Sequence, residues 1–143
     1  YILARREVIE ELSAYVPPWS VSSLAIAAGE WIVKQGFPDL LDKGLLFSEC
    51  RRLWQAIDQL PHFRPCPTET HFFLVHCDHP SIPSGGALKT LLARRYGLLV
   101  RDATNFGYSE HTIRIATQRP EENDLLIEAL TDISSSTTLP CFE

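Results

Sequence analysis

Two arginines sit inside two short apolar runs late in the chain, and they constrain the fold more than any other feature. The stretch from Gly97 to Glu122 reads GLLVRDATNFGYSEHTIRIATQRPEE. In a strand, successive side chains alternate between faces. Arg114 therefore points away from Ile113 and Ile115, and Arg101 points away from Val100. One face of each strand can join a core while the other carries a cation. A guanidinium held in an apolar strand needs an anion, because an unpaired buried charge costs on the order of several kcal/mol. Either a carboxylate of the protein meets each arginine in a salt bridge, or the carboxylate or phosphate of a ligand does.

Around this stretch the chain reads as alternating apolar-striped helices and short strands. Residues 1–16 form a first helical segment with Val8, Ile9 and Leu12 on one stripe, ended by Pro17-Pro18. Ser20 or Ser22 can cap a second helix, with Val21, Leu24, Ala28 and Trp31 on one face and small residues for close packing. Gly36 breaks the chain, and Phe37-Pro38-Asp39 opens a third helix. Leu46, Cys50, Leu53, Ile57 and Leu60 make a continuous apolar stripe along it. From residue 59 the pattern is β, β, α, β, β, α. HFFLVHC at 71–77 is the clearest strand. Leu88, Leu91 and Leu92 mark a helix stopped by Gly97. Pro120 starts the last helix, whose stripe is Leu125, Leu126, Ala129, Leu130 and Ile133. The fold class is α+β: a small antiparallel sheet with helices packed on one face, preceded by a long linking helix.

Several function classes are excluded by composition. Net charge is −5 and no basic stripe runs along any helix, which argues against nucleic acid as a partner. No run of 18 apolar residues is present, so no membrane span is expected. Cys50, Cys66, Cys77 and Cys141 form no CxxC pair and fit no zinc spacing. They read as free thiols in a reducing cytoplasm. His62, His71, His76 and His79 lie near Cys77 and Asp78, which invites a metal. Neighbouring strand residues point to opposite faces, however, so His76 and Cys77 cannot converge, and no metal site is expected. Gly85-Gly86 lacks a following Lys-Ser/Thr and reads as a turn, not a phosphate loop. Lys34, Lys43 and Lys89 read as solvated surface residues.

The motifs VRDATNF (100–106) and IRIATQRPEEN (113–123), with the apolar helix after them, resemble the C-terminal domain of class I/II aminotransferase-superfamily enzymes of fold type I, which use pyridoxal phosphate. Within that superfamily the similarity is greatest to the threonine-phosphate decarboxylase family of cobalamin biosynthesis, with the histidinol-phosphate aminotransferases as the nearest alternative. PPWSV at 17–21, continuing to Leu24-Ala25 and Ala28-Gly29-Glu30, is similar to a second decarboxylase motif, with Ser22 where that family usually has Asn. Leu60, Pro61, Pro67 and Phe72-Phe73-Leu74 match a third segment, with His71 at its Asn position.

The resemblance implies a lyase that releases CO2 from threonine phosphate. Arg114 would bind the substrate carboxylate and Arg101 the substrate phosphate, since a planar guanidinium meets oxyanions bidentately. It further implies a full-length, cytoplasmic homodimer acting on a small phosphorylated amino acid. Tyr1-Ile2-Leu3-Ala4 resembles the tail of a strand that follows the Schiff-base lysine, so no catalytic or cofactor-binding residue is expected in this chain. Residues 1–36 would be the tail of a larger cofactor-binding domain, 37–60 a linking helix and 61–143 the small C-terminal domain. By itself such a chain would be a catalytically silent binding module.

Overall fold

The computed structural model describes residues 2–17, 20–35 and 42–136. Tyr1, the Pro18-Trp19 pair of the PPWSV motif, the break at Gly36 with the helix start expected after it, and Cys141 in the polar tail lie outside the described residues. Contacts divide the chain into two units, separated between residues 40 and 41.

The first unit holds two helices, α1 (Arg6–Ser13) and α2 (Ser23–Lys34). Of the two candidate caps, Ser22 is the one used: its Oγ accepts the Ala25 N–H at 3.2 Å. The stripe expected on α2 forms but packs into no core. Neither helix has a buried residue, and Leu24 and Trp31 are 79% and 60% exposed. Helical periodicity established the helix; it could not supply the surface that covers it.

The second unit is the α+β body. Its elements run α3 (Lys43–Asp58), β1 (Phe63–Pro65), β2 (Phe72–Cys77), α4 (Gly85–Tyr96), β3 (Arg101–Asp102), a 3-10 turn over Thr104–Phe106, β4 (Thr112–Ala116) and α5 (Pro120–Ser135). The four strands form one antiparallel sheet in the order β1-β2-β4-β3. Alternation decides what each face does. Phe73, Val75 and Cys77 of β2 and Ile113 and Ile115 of β4 are buried, with Val75 opposite Ile113 and Phe73 opposite Ile115. They join one core with Cys50, Leu53 and Ile57 of α3, Leu88, Leu91 and Leu92 of α4, and Leu126, Leu130 and Ile133 of α5. All three helices thus cover the same face of the sheet.

Some details depart from the sequence reading. Leu125 is 55% exposed, and Asn123 takes a buried place on α5 instead. Asn123 donates through Nδ2 to Glu49 Oε1 at 2.9 Å, and Arg52 grips the same carboxylate at 2.6 and 2.9 Å, so a polar tie joins α3 to α5. Gly85 and Gly86 are not a free turn: they open α4, capped by Ser84, whose Oγ accepts the Ala87 N–H. A Cβ on Gly85 would lie 2.5 Å from the Thr112 carbonyl oxygen, so only glycine allows α4 to start this close to β4. The helix ends at Gly97, whose φ of +69° suits glycine. The apolar run Leu98–Val100 is not part of a strand; β3 is only two residues long.

Candidate functional site

The three helices of this unit pack on one face of the sheet, and both candidate arginines are on the other. Arg101 of β3 and Arg114 of β4 are direct cross-strand partners. Residues opposite one another in an antiparallel pair project to the same side, a few ångströms apart, and like charges so placed repel. Arg101 is exposed and Arg114 half-buried. Among the described residues no carboxylate forms an ion pair with either. The salt-bridge alternative therefore has no support in the described structure. Arg114 is steadied instead by an aromatic ring: its Cζ lies 5.2 Å from the centroid of Phe72, the next open-face residue along β2 from Leu74, which stands opposite Arg114.

The two guanidiniums line one groove of about 710 Å³, walled by the 97–100 segment, the end of β4 and the start of α5. The groove exists because β3 is so short. Past Gly97 the chain does not pair with β4, and the space between them stays open. Three cations line it, Lys89, Arg101 and Arg114, against the one carboxylate of Glu122. That carboxylate is already engaged with Arg119 at 3.2 Å. Asp102, just behind Arg101, is engaged too. It accepts the Thr104 N–H at 3.0 Å. This hydrogen bond, with smaller contributions from the Lys89 and Arg101 charges, holds its carboxyl below the usual carboxylate range. The groove thus presents unneutralised positive charge, the electrostatics of an anion site.

Sequence reasoning found both arginines and missed Lys89 and Phe72. Phe72 was hidden because strand register decides which β2 residue meets Arg114. Lys89 is exposed, as its position suggested, but its place in the groove depends on how α4 lies against β3.

A second, smaller cavity of about 370 Å³ is lined by His76, Asp78, His79 and His111. No group of three or more ligating side chains among the described residues is placed to hold a metal ion. Cys50, Cys66 and Cys77 are free thiols, and burial pushes the Cys77 thiol up to about 11. No helix among the described residues is long and apolar enough to cross a membrane.

The three described lysines stand in different settings. Lys34 is exposed and 3.6 Å from Glu30, Lys43 is exposed on the first turn of α3, and no aromatic side chain shares the groove with Lys89.

No family model matches the chain. It is 29% identical over 117 residues to the threonine-phosphate decarboxylase of Salmonella typhimurium, covering 81% of this chain. It is 26% identical to the histidinol-phosphate aminotransferase of Hydrogenobaculum, covering 96% of this chain. The chain spans 31% and 38% of the length of these two relatives. Among solved structures, the L-threonine-O-3-phosphate decarboxylase of Porphyromonas gingivalis superposes with a TM-score of 0.79 at 30% identity, over 91% of this chain and 39% of that one. The fold is that of the aminotransferase-type enzymes of fold type I, the pyridoxal-phosphate class that the sequence resembles. Within that class the chain's relatives are the threonine-phosphate decarboxylases and the histidinol-phosphate aminotransferases.

Proposed function

We propose that this chain is the substrate-binding, C-terminal part of a pyridoxal-phosphate-dependent decarboxylase that releases CO2 from threonine phosphate in cobalamin biosynthesis. The observation that carries this reading is the pair of opposed guanidiniums in one groove, with no protein carboxylate paired to them among the described residues. Two repelling cations held side by side are poorly explained by stability and well explained by a ligand with two anionic groups. Arg114, oriented by Phe72, takes the α-carboxylate; Arg101, the more exposed of the two, takes the phosphate. In such an enzyme the cofactor supplies the electron sink for the carbanion. The residues of this chain bind and orient the substrate and do not hold the cofactor.

The active protein in this reading is a cytoplasmic homodimer. Residues 1–36 complete a larger domain that carries the Schiff-base lysine, 37–60 link it to the small domain, and 61–143 make up that domain. The exposed apolar stripes of α1 and α2 support the first assignment, since such surfaces ordinarily mark a missing partner. The chain alone is a catalytically silent binding module. Borohydride reduction of the chain with pyridoxal phosphate, followed by mass spectrometry, will give no stoichiometric adduct at Lys34, Lys43 or Lys89.

The test of the arginine roles is a double comparison in the full-length enzyme. A charged hydrogen bond lost at a desolvated site costs roughly 2–5 kcal/mol, about 30- to several-thousand-fold. Arg101→Ala will lower kcat/KM for threonine phosphate by such a factor and leave unphosphorylated threonine nearly unchanged. The assignment is falsified if both substrates lose the same factor. A histidinol-phosphate aminotransferase is the second reading, favoured by relatives of similar identity. It would use the phosphate-binding arginine in the same way. Product analysis separates the two, because only the decarboxylase releases CO2 from threonine phosphate.

A further inference from the structure

We propose that Lys89 is a third substrate-binding residue of the groove, one that works with Arg101 to select a doubly charged phosphate monoester over singly charged anions. The inference rests on the anion-site reading of the groove and goes beyond the two arginines.

Lys89 lies on α4, in the turn after Gly86. Gly86 is close enough to β3 that a Cβ there would meet Asp102 Oδ2 at 3.2 Å. That contact brings the flank of α4 against the strand that carries Arg101. Lys89 and Arg101 line the same groove, and both charges act on the Asp102 carboxylate. Lys89 forms no ion pair of 4.0 Å or less with any carboxylate among the described residues. Glu122 is paired with Arg119, and Asp102, which accepts the neutral Thr104 N–H and keeps its charge, acts on Lys89 without forming an ion pair of 4.0 Å or less. The ammonium is therefore open to direct contact with a ligand.

The chemistry of the two cation types suits a division of work. A guanidinium makes two parallel hydrogen bonds to one edge of a phosphate or carboxylate, whereas an ammonium on a flexible stem is a mobile point charge. Arg101 alone does not distinguish a carboxylate from a phosphate. Adding Lys89 raises the local charge opposite the ligand, and the gain is larger for a dianion. A phosphate monoester passes from one negative charge to about two near pH 6. No histidine lines the groove, and its charged residues are Lys89, Arg101, Arg114 and Glu122, with Asp102 behind Arg101. The expected pH response around neutrality therefore belongs to the ligand.

The experiment is an NMR titration of the 143-residue chain with O-phospho-L-threonine and with L-threonine, at pH 5.5 and pH 8. The proteins are the parent chain, Lys89→Gln, Lys89→Arg, Arg101→Gln and Arg114→Gln. Each is checked first for an unchanged circular dichroism spectrum. In the parent chain, O-phospho-L-threonine will shift amides of the groove and bind more tightly at pH 8. Lys89→Gln will weaken that binding about 2- to 5-fold at pH 8, an effect of the size expected for one exposed charge pair. It will flatten the pH dependence and leave L-threonine unchanged, and Lys89→Arg will restore most of the affinity. Unaltered phosphothreonine affinity in Lys89→Gln, with loss in Arg101→Gln, overturns the role of Lys89 and leaves the arginine site standing. Insensitivity to Arg101→Gln and Arg114→Gln, or no groove shifts in the parent chain, overturns both.

Discussion

The two faces of the sheet are written by the same strands and do opposite work. On the covered face, Val75, Ile113 and Ile115 are no more than 1% exposed and bound to three helices. On the open face, one residue along in each strand, stand Leu74, Arg114 and the cross-strand partner Arg101. The covered face is satisfied within the molecule. The open face carries charges with no carboxylate partner among the described residues. Substitutions on the first should therefore cost stability and those on the second should cost binding, and mutagenesis can break or sharpen the contrast.

The largest effect belongs to the covered face. Ile113→Ala will destabilise the second unit by about 2–5 kcal/mol, the usual range for a large-to-small change in a closed core. Urea unfolding followed by circular dichroism will show a lower midpoint. An unchanged midpoint would mean that the helices do not close over β4 as described.

Next in size is the open face. Arg114→Ala in the full-length enzyme will weaken every substrate bearing an α-carboxylate by about 30-fold or more, with the unfolding midpoint unchanged or slightly raised. Phe72→Leu should reproduce a fraction of that loss by freeing the guanidinium from the ring. A fall in stability for Arg114→Ala as large as that for Ile113→Ala would erase the distinction between the faces.

The polar tie on the covered side gives a smaller, pH-dependent effect. Hydrogen bonding by Arg52, and then by Asn123, holds the Glu49 carboxyl below its ordinary value, against the opposing effect of its burial. A carboxyl depressed by folding stabilises the native state above its ordinary value of 4.5, and that stability is lost as pH falls through the folded value. Glu49→Gln, which weakens the Arg52 bonds beside buried Asn123, will cost about 1–3 kcal/mol at pH 7. The gap to the parent protein will shrink below pH 4. A gap that stays constant from pH 7 to pH 3 would show that the carboxylate charge contributes nothing to the tie.

Smallest is a gain. Arg101→Ala removes one of two like charges placed opposite each other and should raise stability by about 0.2–1 kcal/mol. A clear loss of stability would indicate an anion already serving both arginines within the protein.

The contrast also separates what was legible in the chain. Strand alternation alone fixed the two-faced character of IRIA and HFFLVHC, because the side-chain period of a strand is 2. The stripe of α3, a cap at Ser20 or Ser22 and the stop at Gly97 followed from helical spacing and local backbone chemistry, and the structure chose Ser22. Those local rules carried the α+β class, and they placed both arginines away from the core. Tertiary structure decided the rest. Register made Arg101 and Arg114 direct partners and set Phe72 beside Arg114, a pairing between residues 42 positions apart that no local pattern encodes. The shortness of β3 opened the groove, although Leu98–Val100 has strand-like composition, because pairing with β4 stops at Arg101. The approach of α4 to β3 and β4, through Gly85 and Gly86, turned a surface lysine into a groove residue. Local sequence determines which way a side chain points; only the packed chain determines what it points at.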